Sequence, residues 1–350
     1  MKLVLTLLAR DEADVVDAQI AFHLHAGVDY VIATDNRSED GTTEILERYE
    51  RAGRLLLLRE EGDDMRQDRW VTRMARLAAG ELGADWVINA DADEFWWPRS
   101  GSLKDVLASV PERYGVVRGC WRHFVPRPWT DPFFAERMTV RLCAPAHPGD
   151  KETIFHAHQK VAHRADPEVS IEPGNHDARS PRLAPLRGWH PLEVLHFSLR
   201  SPEQLGRKAV RDWVGWTQNP HGPTLHQERA YEAQRAGRLE EYYDSFVVTD
   251  EGLTAGLTDG SLARDTRLRD ALRAIAAPGP ERRFVLPEDG GARLTFSRPG
   301  VLDDAVYASE ASVLADIDGV VRAERRVAVL EERLASLERG ALGRLRALVR

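Results

Sequence analysis

Asp85-Trp86-Val87-Ile88-Asn89-Ala90-Asp91-Ala92-Asp93-Glu94-Phe95-Trp96-Trp97-Pro98 decides how the chain is read, because a short apolar strand here runs straight into a cluster of carboxylates. Trp86, Val87 and Ile88 read as a buried strand. Asn89 and Ala90 lead to its carboxyl end, the edge where open α/β sheets place their ligands. Asp91 and Asp93 are two apart, so an extended backbone would point both carboxylates to one side. Hard oxygen ligands on one side suit Mg²⁺ or Mn²⁺, which would in turn hold a diphosphate. Acids this close repel one another, and burying them without a cation is costly. A bare Asp-x-Asp is most often a solvated acidic turn. The apolar strand before it and the Phe95-Trp96-Trp97 wall after it argue for a site instead.

Outward from this stretch, the preceding residues repeat one pattern. Leu3 to Leu8 is a continuous apolar run ended by Arg10-Asp11-Glu12, as in a parallel strand covered on both faces. From Asp14, Val16, Ile20 and Leu24 recur at fours and predict an amphipathic helix that stops near Gly27. Tyr30 to Ala33 is a second strand, followed by the polar loop Thr34 to Thr42 and a helix through Ile45, Leu46 and Tyr49 that ends by Gly53. Leu55 to Leu58 is a third strand, and Trp70, Met74, Leu77 and Ala78 mark a third helix stopped by Gly83. Strands and helices alternate up to the opening stretch, so right-handed crossovers should give a mostly parallel, twisted α/β sheet with helices on both faces and its loops at one rim. Every one of those loops carries acids: Asp11 and Glu12, Asp35 and Asp40, Asp63 and Asp64, Asp91 and Asp93. A dinucleotide-type G-x-G-x-x-G and a Walker loop are absent, which leaves phosphate to a metal and basic side chains.

Composition narrows the class. A chain of 350 residues has room for two domains or one with additions, and a formal net charge of -8 argues against a nucleic-acid partner. Two cysteines in this length, Cys120 and Cys143, read as core residues of a reducing compartment rather than a disulfide framework. The apolar start is too short to span a membrane and meets Arg10-Asp11-Glu12 rather than a small-residue cleavage site. The expected location is the cytoplasm.

Arg10-Asp11-Glu12 after the first strand, Asp35-Asn36-Arg37-Ser38-Glu39-Asp40-Gly41-Thr42 after the second and Asp91-Ala92-Asp93-Glu94-Phe95 after the fourth resemble glycosyltransferase family 2. The Asp-Glu-Phe-Trp run is similar to a bacterial branch of it. The resemblance covers roughly residues 1–100 and implies a GT-A fold, a nucleoside diphosphate sugar donor, a divalent cation, an unknown glycan or other hydroxyl acceptor, and inversion at the anomeric carbon. Carried over by position, Arg10, Asp11, Glu12 and Asp35 would meet the nucleotide, with Asp91 also on the donor. Asp91 and Asp93 would serve the metal, and His196 would return to it as a late histidine. Asp-Glu stands where Asn-Glu is commoner in the family. Lys160 or Arg69 would offset charge on the leaving diphosphate, and Asp177 or Glu94 would take the acceptor proton.

The remaining sequence is organised more loosely. Val116-Val117 begins a strand, Trp121 to Phe134 reads as a loop or insertion lining an acceptor site, Lys160 to Arg164 is a basic strand, and Leu192 to Ser198 a strand with His196 near its end. Ser201 caps a helix with Pro202 in its first turn, and this helix carries Lys208 and Arg211. The expected organisation is a GT-A domain over 1–215, an accessory helical region and linker over 216–310, and a coiled-coil-like helix over 311–350. In the last of these Val320, Val327, Leu330, Leu334, Leu337 and Ala341 step at heptad-like intervals. Its basic amphipathic end, Leu342 to Arg350, would suit a homodimer helix, a solvated tail or peripheral contact with the inner face of a membrane. Two other function classes compete. Gly174-Asn175-His176-Asp177 matches one element of a metallophosphoesterase, whose other metal motifs are missing here. A non-catalytic scaffold of the same fold is the third reading.

Overall fold

A computed structural model describes residues 1–62, 66–99, 101–143, 146, 153–187, 190–217, 225–279, 283–287, 294, 296 and eight residues between 319 and 334. The loop acids Asp63 and Asp64, much of the expected linker before residue 310 and most of the expected coiled-coil helix over 311–350, its basic end included, lie outside them.

The apolar runs become β1 (Leu3–Ala9), β2 (Tyr30–Asp35), β3 (Leu55–Arg59) and β4 (Trp86–Asp91), linked by α1 (Val16–His25), α2 (Thr42–Arg51) and α3 (Gln67–Gly80). They lie parallel in the order β3-β2-β1-β4. Their register sets Leu8 opposite Asp91 and Ala9 opposite Asp35, so the carboxyl ends of β1, β2 and β4 share one rim. Inside the sheet, Thr6 Oγ1 donates to Asn89 Oδ1 at 2.8 Å, satisfying two buried polar groups.

After Asp91 the backbone does not stay extended. It turns at Ala92 and Asp93 and continues as β5 (Glu94–Pro98), which crosses to the far edge of the sheet. The chain then adds α4 (Leu103–Ala108), β6 (Val116–His123), α5 (Phe134–Arg137), β7 (Val140–Leu142), β8 (Gln159–Arg164), the short pair β9 (Ser170–Ile171) and β10 (Ala178–Arg179), and β11 (Leu192–His196). β8 wedges antiparallel between β4 and β6, β11 runs parallel to β6, and β5 closes the edge antiparallel to β11. The result is the mostly parallel GT-A-type α/β sheet, eight strands wide in the order β3-β2-β1-β4-β8-β6-β11-β5.

Helices follow: α6 (Pro202–Thr217), α7 (Leu225–Arg235), α8 (Leu239–Asp244) and α9 (Asp250–Asp259), then β12 (Leu262–Arg264) paired with β7, and α10 (Arg267–Ile275). Ser201 Oγ accepts the Gln204 amide at the start of α6, as a cap should. The periodicity of α1 predicts one buried stripe, but the helix is buried nearly all round, Phe22, His23 and His25 included. Its outer side is covered by α10 and by Phe296, whose ring lies 6.1 Å from Phe22 and 4.6 Å from Trp97. Such late contacts leave no periodic trace in the helix they cover. Among the described residues, no helix is long and apolar enough to cross a membrane.

Candidate functional site

The rim shared by β1, β2 and β4 forms one wall of a cavity of about 280 Å³, and α6, α7 and α8 form another. Its charged lining is Arg10, Glu12, Asp91, Asp93, Lys160, Lys208 and Arg211, while Leu205, Ala209, Ala230, Tyr242 and Phe246 line the helical side. Two ion systems meet there.

The first is built on Asp91. Lys160, on β8 and buried, places Nζ 2.5 Å from Asp91 Oδ2 and 2.9 Å from Glu94 Oε1. The Asn175 amide donates to the other Asp91 oxygen at 3.0 Å. Glu94 is fully buried and also accepts from Trp121 Nε1 at 2.8 Å and from the Asp91 backbone N–H at 3.1 Å. Burial pushes Glu94 up, to about 8, against the pull of Lys160. Burial also opposes the charged form of Lys160, but Asp91 and Glu94 outweigh it and hold the ammonium charged well above its ordinary range.

The second is built on Asp93. Arg200, buried just before α6, donates through Nε to Asp14 at 2.7 Å and through its other nitrogens to Glu12 and toward Asp93, at 3.6 Å. Lys208 approaches Asp93 Oδ2 at 3.7 Å and His196 Nε2 does so at 3.8 Å. Burial opposes ionisation of Asp93, yet the cations Lys208, Arg200 and Lys160 hold it well below the usual carboxylate range. Burial raises Glu12 to about 7 despite Arg200. His196 is pushed well down by burial and is a neutral imidazole, with Trp121 stacked on it at 4.4 Å.

A divalent cation would be held where the two systems meet. Asp93, Glu94 and His196 each offer one donor atom, all within 4.8 Å of one another, and Asp93 Oδ2 is buried with no hydrogen-bond partner among the described residues. Two carboxylates and an imidazole form a donor set suited to Mn²⁺.

The other residues expected at the site fall into three groups. Arg10 and Glu12 line the cavity. Asp11 and Asp35 do not, because their oxygens tie the rim loops together: Asp11 accepts from the Glu39 amide, and Asp35 from Ser38 and Thr43. Arg69 is exposed on α3, whose Gln67 and Trp70 face the cavity instead. Asp177 is buried 3.8 Å from Arg118 and lines a separate pocket with Ala178 and Pro181. The reason is local: Gly174 and Asn175 both take positive φ, which sends Asn175 to Asp91 and His176 to the cavity, and turns Asp177 behind them. Arg200 and Asp14 were given no role by sequence reasoning, Asn175 only within the phosphoesterase-like element, Lys208 only as a residue of the helix after Ser201, and Trp121 only as the start of an acceptor-site loop, whereas it lies on β6. Asp14 and Arg200 are 186 residues apart, and nothing in either neighbourhood announces the pairing.

No family model and no curated protein matches the chain. Among solved structures it is similar to S. aureus TarS, at 14% identity and a TM-score of 0.32 over 68% of this chain, and it spans only 43% of that one. It is also similar to S. aureus TarS 1–349 in complex with UDP, at 12% identity and a TM-score of 0.32 over 83% of this chain and 98% of that one. Glucosyl-3-phosphoglycerate synthase from Mycobacterium tuberculosis, in complex with Mn²⁺, UDP and phosphoglyceric acid, matches 34% of this chain and 43% of its own at 20% identity and a TM-score of 0.25. At such scores, substrate and reaction have to be read from the site's own chemistry.

Proposed function

We propose that the chain is a glycosyltransferase that moves a sugar from a nucleoside diphosphate sugar to an acceptor hydroxyl, with a divalent cation and inversion at the anomeric carbon. The observation that carries this reading is the cavity at the strand ends. There the donor set Asp93, Glu94 and His196 stands beside cavity-lining cations from two elements, Arg10 from the rim and Lys208 and Arg211 from α6. A cation held by that set supplies positive charge to a diphosphate. The rest is the work of the chain's own residues. Lys208 and Arg211 face the cavity and offset charge on the departing diphosphate as its bond to the anomeric carbon breaks. The acceptor oxygen forms the new bond, and its proton passes to a carboxylate. Asp91 is the best placed for that step, with 35% of its side chain exposed against 0% for Glu94 and 4% for Asp177, since a base must first reach the hydroxyl. Lys160 and Asn175 orient it.

Calorimetry of UDP and GDP, with and without Mn²⁺, tests the reading, and a thermal-shift screen of nucleotide sugars extends it, since a ligand bound only by the native state must raise its stability. Metal-dependent nucleotide binding is expected. Hydrolysis of a nitrophenyl phosphate ester without nucleotide binding would indicate the phosphoesterase class, and no binding at all would indicate a scaffold.

A further inference from the structure

Three side chains stand in a row across neighbouring strands. His196 on β11 is paired in register with Glu94 on β5 and with His123 on β6, so all three leave the sheet on one face at one rim. Glu94 and His196 belong to the donor set with Asp93, whereas His123 is buried beside them and outside it. The His123 ring nevertheless decides what His196 can do. Its Nε2 lies 2.8 Å from the His156 carbonyl oxygen, and a carbonyl only accepts, so Nε2 carries a proton. Burial keeps the ring neutral by lowering it to about 4, which leaves Nδ1 with a bare lone pair. That atom lies 3.3 Å from His196 Nδ1, a gap with room for one proton. The proton therefore sits on His196 Nδ1. His196 Nε2 then holds the lone pair of its ring, 3.8 Å from Asp93 Oδ2.

No hydrogen bond joins that nitrogen to Asp93, because the separation is too long and neither atom carries a proton. Asp93 Oδ2 is buried without a hydrogen-bond partner among the described residues. The opposite tautomer would turn Nε2–H toward Asp93, satisfying the carboxylate and removing a donor from the set. We propose that His123 is a positioning residue: it holds His196 in the tautomer with Nε2 unprotonated, and so keeps that nitrogen open to a divalent cation. Trp121 assists by stacking on the His196 ring at 4.4 Å while it donates to Glu94. Fixing the second nitrogen of a ligating imidazole orients the ring and raises its basicity. This role rests on the cation site of the proposed function, whereas the tautomer can be read with no cation present.

Long-range proton–nitrogen NMR of the metal-free full chain with isotope-labelled histidine distinguishes the two tautomers, and His196→Gln assigns the signals. A proton on Nδ1 and none on Nε2 is expected. His123→Leu removes the acceptor and is expected to move His196 toward the Nε2–H form and to weaken Mn²⁺ binding, read by calorimetry, by about 10–100-fold. His123→Asn is expected to stay much closer to the parent in both, because its side-chain oxygen can take the place of Nδ1. Asparagine fills the buried site less well than leucine, so a role in packing alone would order the two variants the other way. A parent His196 protonated at Nε2 overturns the proposal, as does a folded His123→Leu that binds Mn²⁺ as tightly as the parent. If His123→Leu does not fold, the parent spectrum and His123→Asn decide. A parent with the expected tautomer but no affinity for Mn²⁺ would overturn the cation of the proposed function instead, with His123 still setting the tautomer.

Discussion

Asp91 and Asp93 are two residues apart, yet the regions around them are neutralised in opposite ways. On the Asp91 side the compensating cation, Lys160, has 2% of its side chain exposed and holds two carboxylates at once. On the Asp93 side one cation is the buried Arg200, but another is Lys208, with 34% exposed, and it stands 3.7 Å off. A buried charge with short contacts is part of the fold, whereas an exposed one at longer range can exchange its carboxylate for a ligand. The difference divides the site into a half whose cation is fixed and orients the cavity-facing Asp91, and a half whose cation can exchange its carboxylate for a ligand.

The fixed half is broken by Lys160→Met. Removing one partner from a buried ion pair leaves uncompensated charge and typically costs about 3–5 kcal/mol, here chiefly at Asp91, since Glu94 keeps its proton up to about pH 8. A drop of roughly 10 °C in Tm is expected, the largest single effect in the site. Lys160→Met with Asp91→Asn should recover part of it, because the stranded charge goes with the lysine. A variant that melts with the parent would mean Lys160 is not what holds this side together.

On the exchangeable side, Asp93→Ala should keep the fold, because Arg200 retains Glu12 and Asp14. It removes one of three metal donors and should weaken the metal-dependent binding of UDP or GDP by about 10–100-fold or more. Calorimetry with Mn²⁺ reads this directly, and unchanged affinity would take the metal role away from Asp93.

The sequence shows the two halves unequally. β1 to β4, the rim loops and the acids at the strand ends follow from apolar runs and turn residues, because each is a local signal. The pairings are not local. Lys160 reaches Asp91 only because β8 inserts antiparallel beside β4, and Arg200, just after β11, reaches Asp14 from 186 residues away. The turn at Ala92 and Asp93 likewise defeats the period-two argument, and only the tertiary structure shows that Glu94 rather than Asp91 groups with Asp93 and His196. In the same way, the Asp177 carboxylate is locally a good candidate for a base, and only the positive φ at Gly174 and Asn175 reveals which way it turns.

Burial of both glutamates sharpens the comparison through pH. The folded chain holds Glu12 at about 7 and Glu94 at about 8, above their ordinary 4.5. Between those limits the folded state keeps protons that the unfolded chain releases, so this stability is complete below pH 4.5 and is lost as pH rises through 7 and 8. Asp93 and Glu193 act oppositely and lose their contribution only as pH falls below the ordinary carboxylate range. Tm is expected to fall by a few degrees from pH 5 to pH 8, and Glu94→Gln should flatten the upper part of that slope. A Tm that rises across the interval would show that Lys160 and Arg200 outweigh burial.

Lys208→Ala carries the smallest effect and separates two roles of one side chain. Lys208 approaches Asp93, so it competes with a cation for that carboxylate, and it lines the cavity, so it can also meet a diphosphate. Its loss removes a partly exposed charge and should leave the stability within about 0.5 kcal/mol of the parent. Mn²⁺ alone should then bind more tightly, because Asp93 keeps its charge with one competitor fewer. UDP in the presence of saturating Mn²⁺ should bind about tenfold more weakly, the equivalent of one charge-assisted contact of about 1.4 kcal/mol. Opposite changes in the two affinities are what an exchangeable cation requires. If both affinities fell together, Lys208 would be holding the site in shape as Lys160 does, and the division between the two halves would disappear.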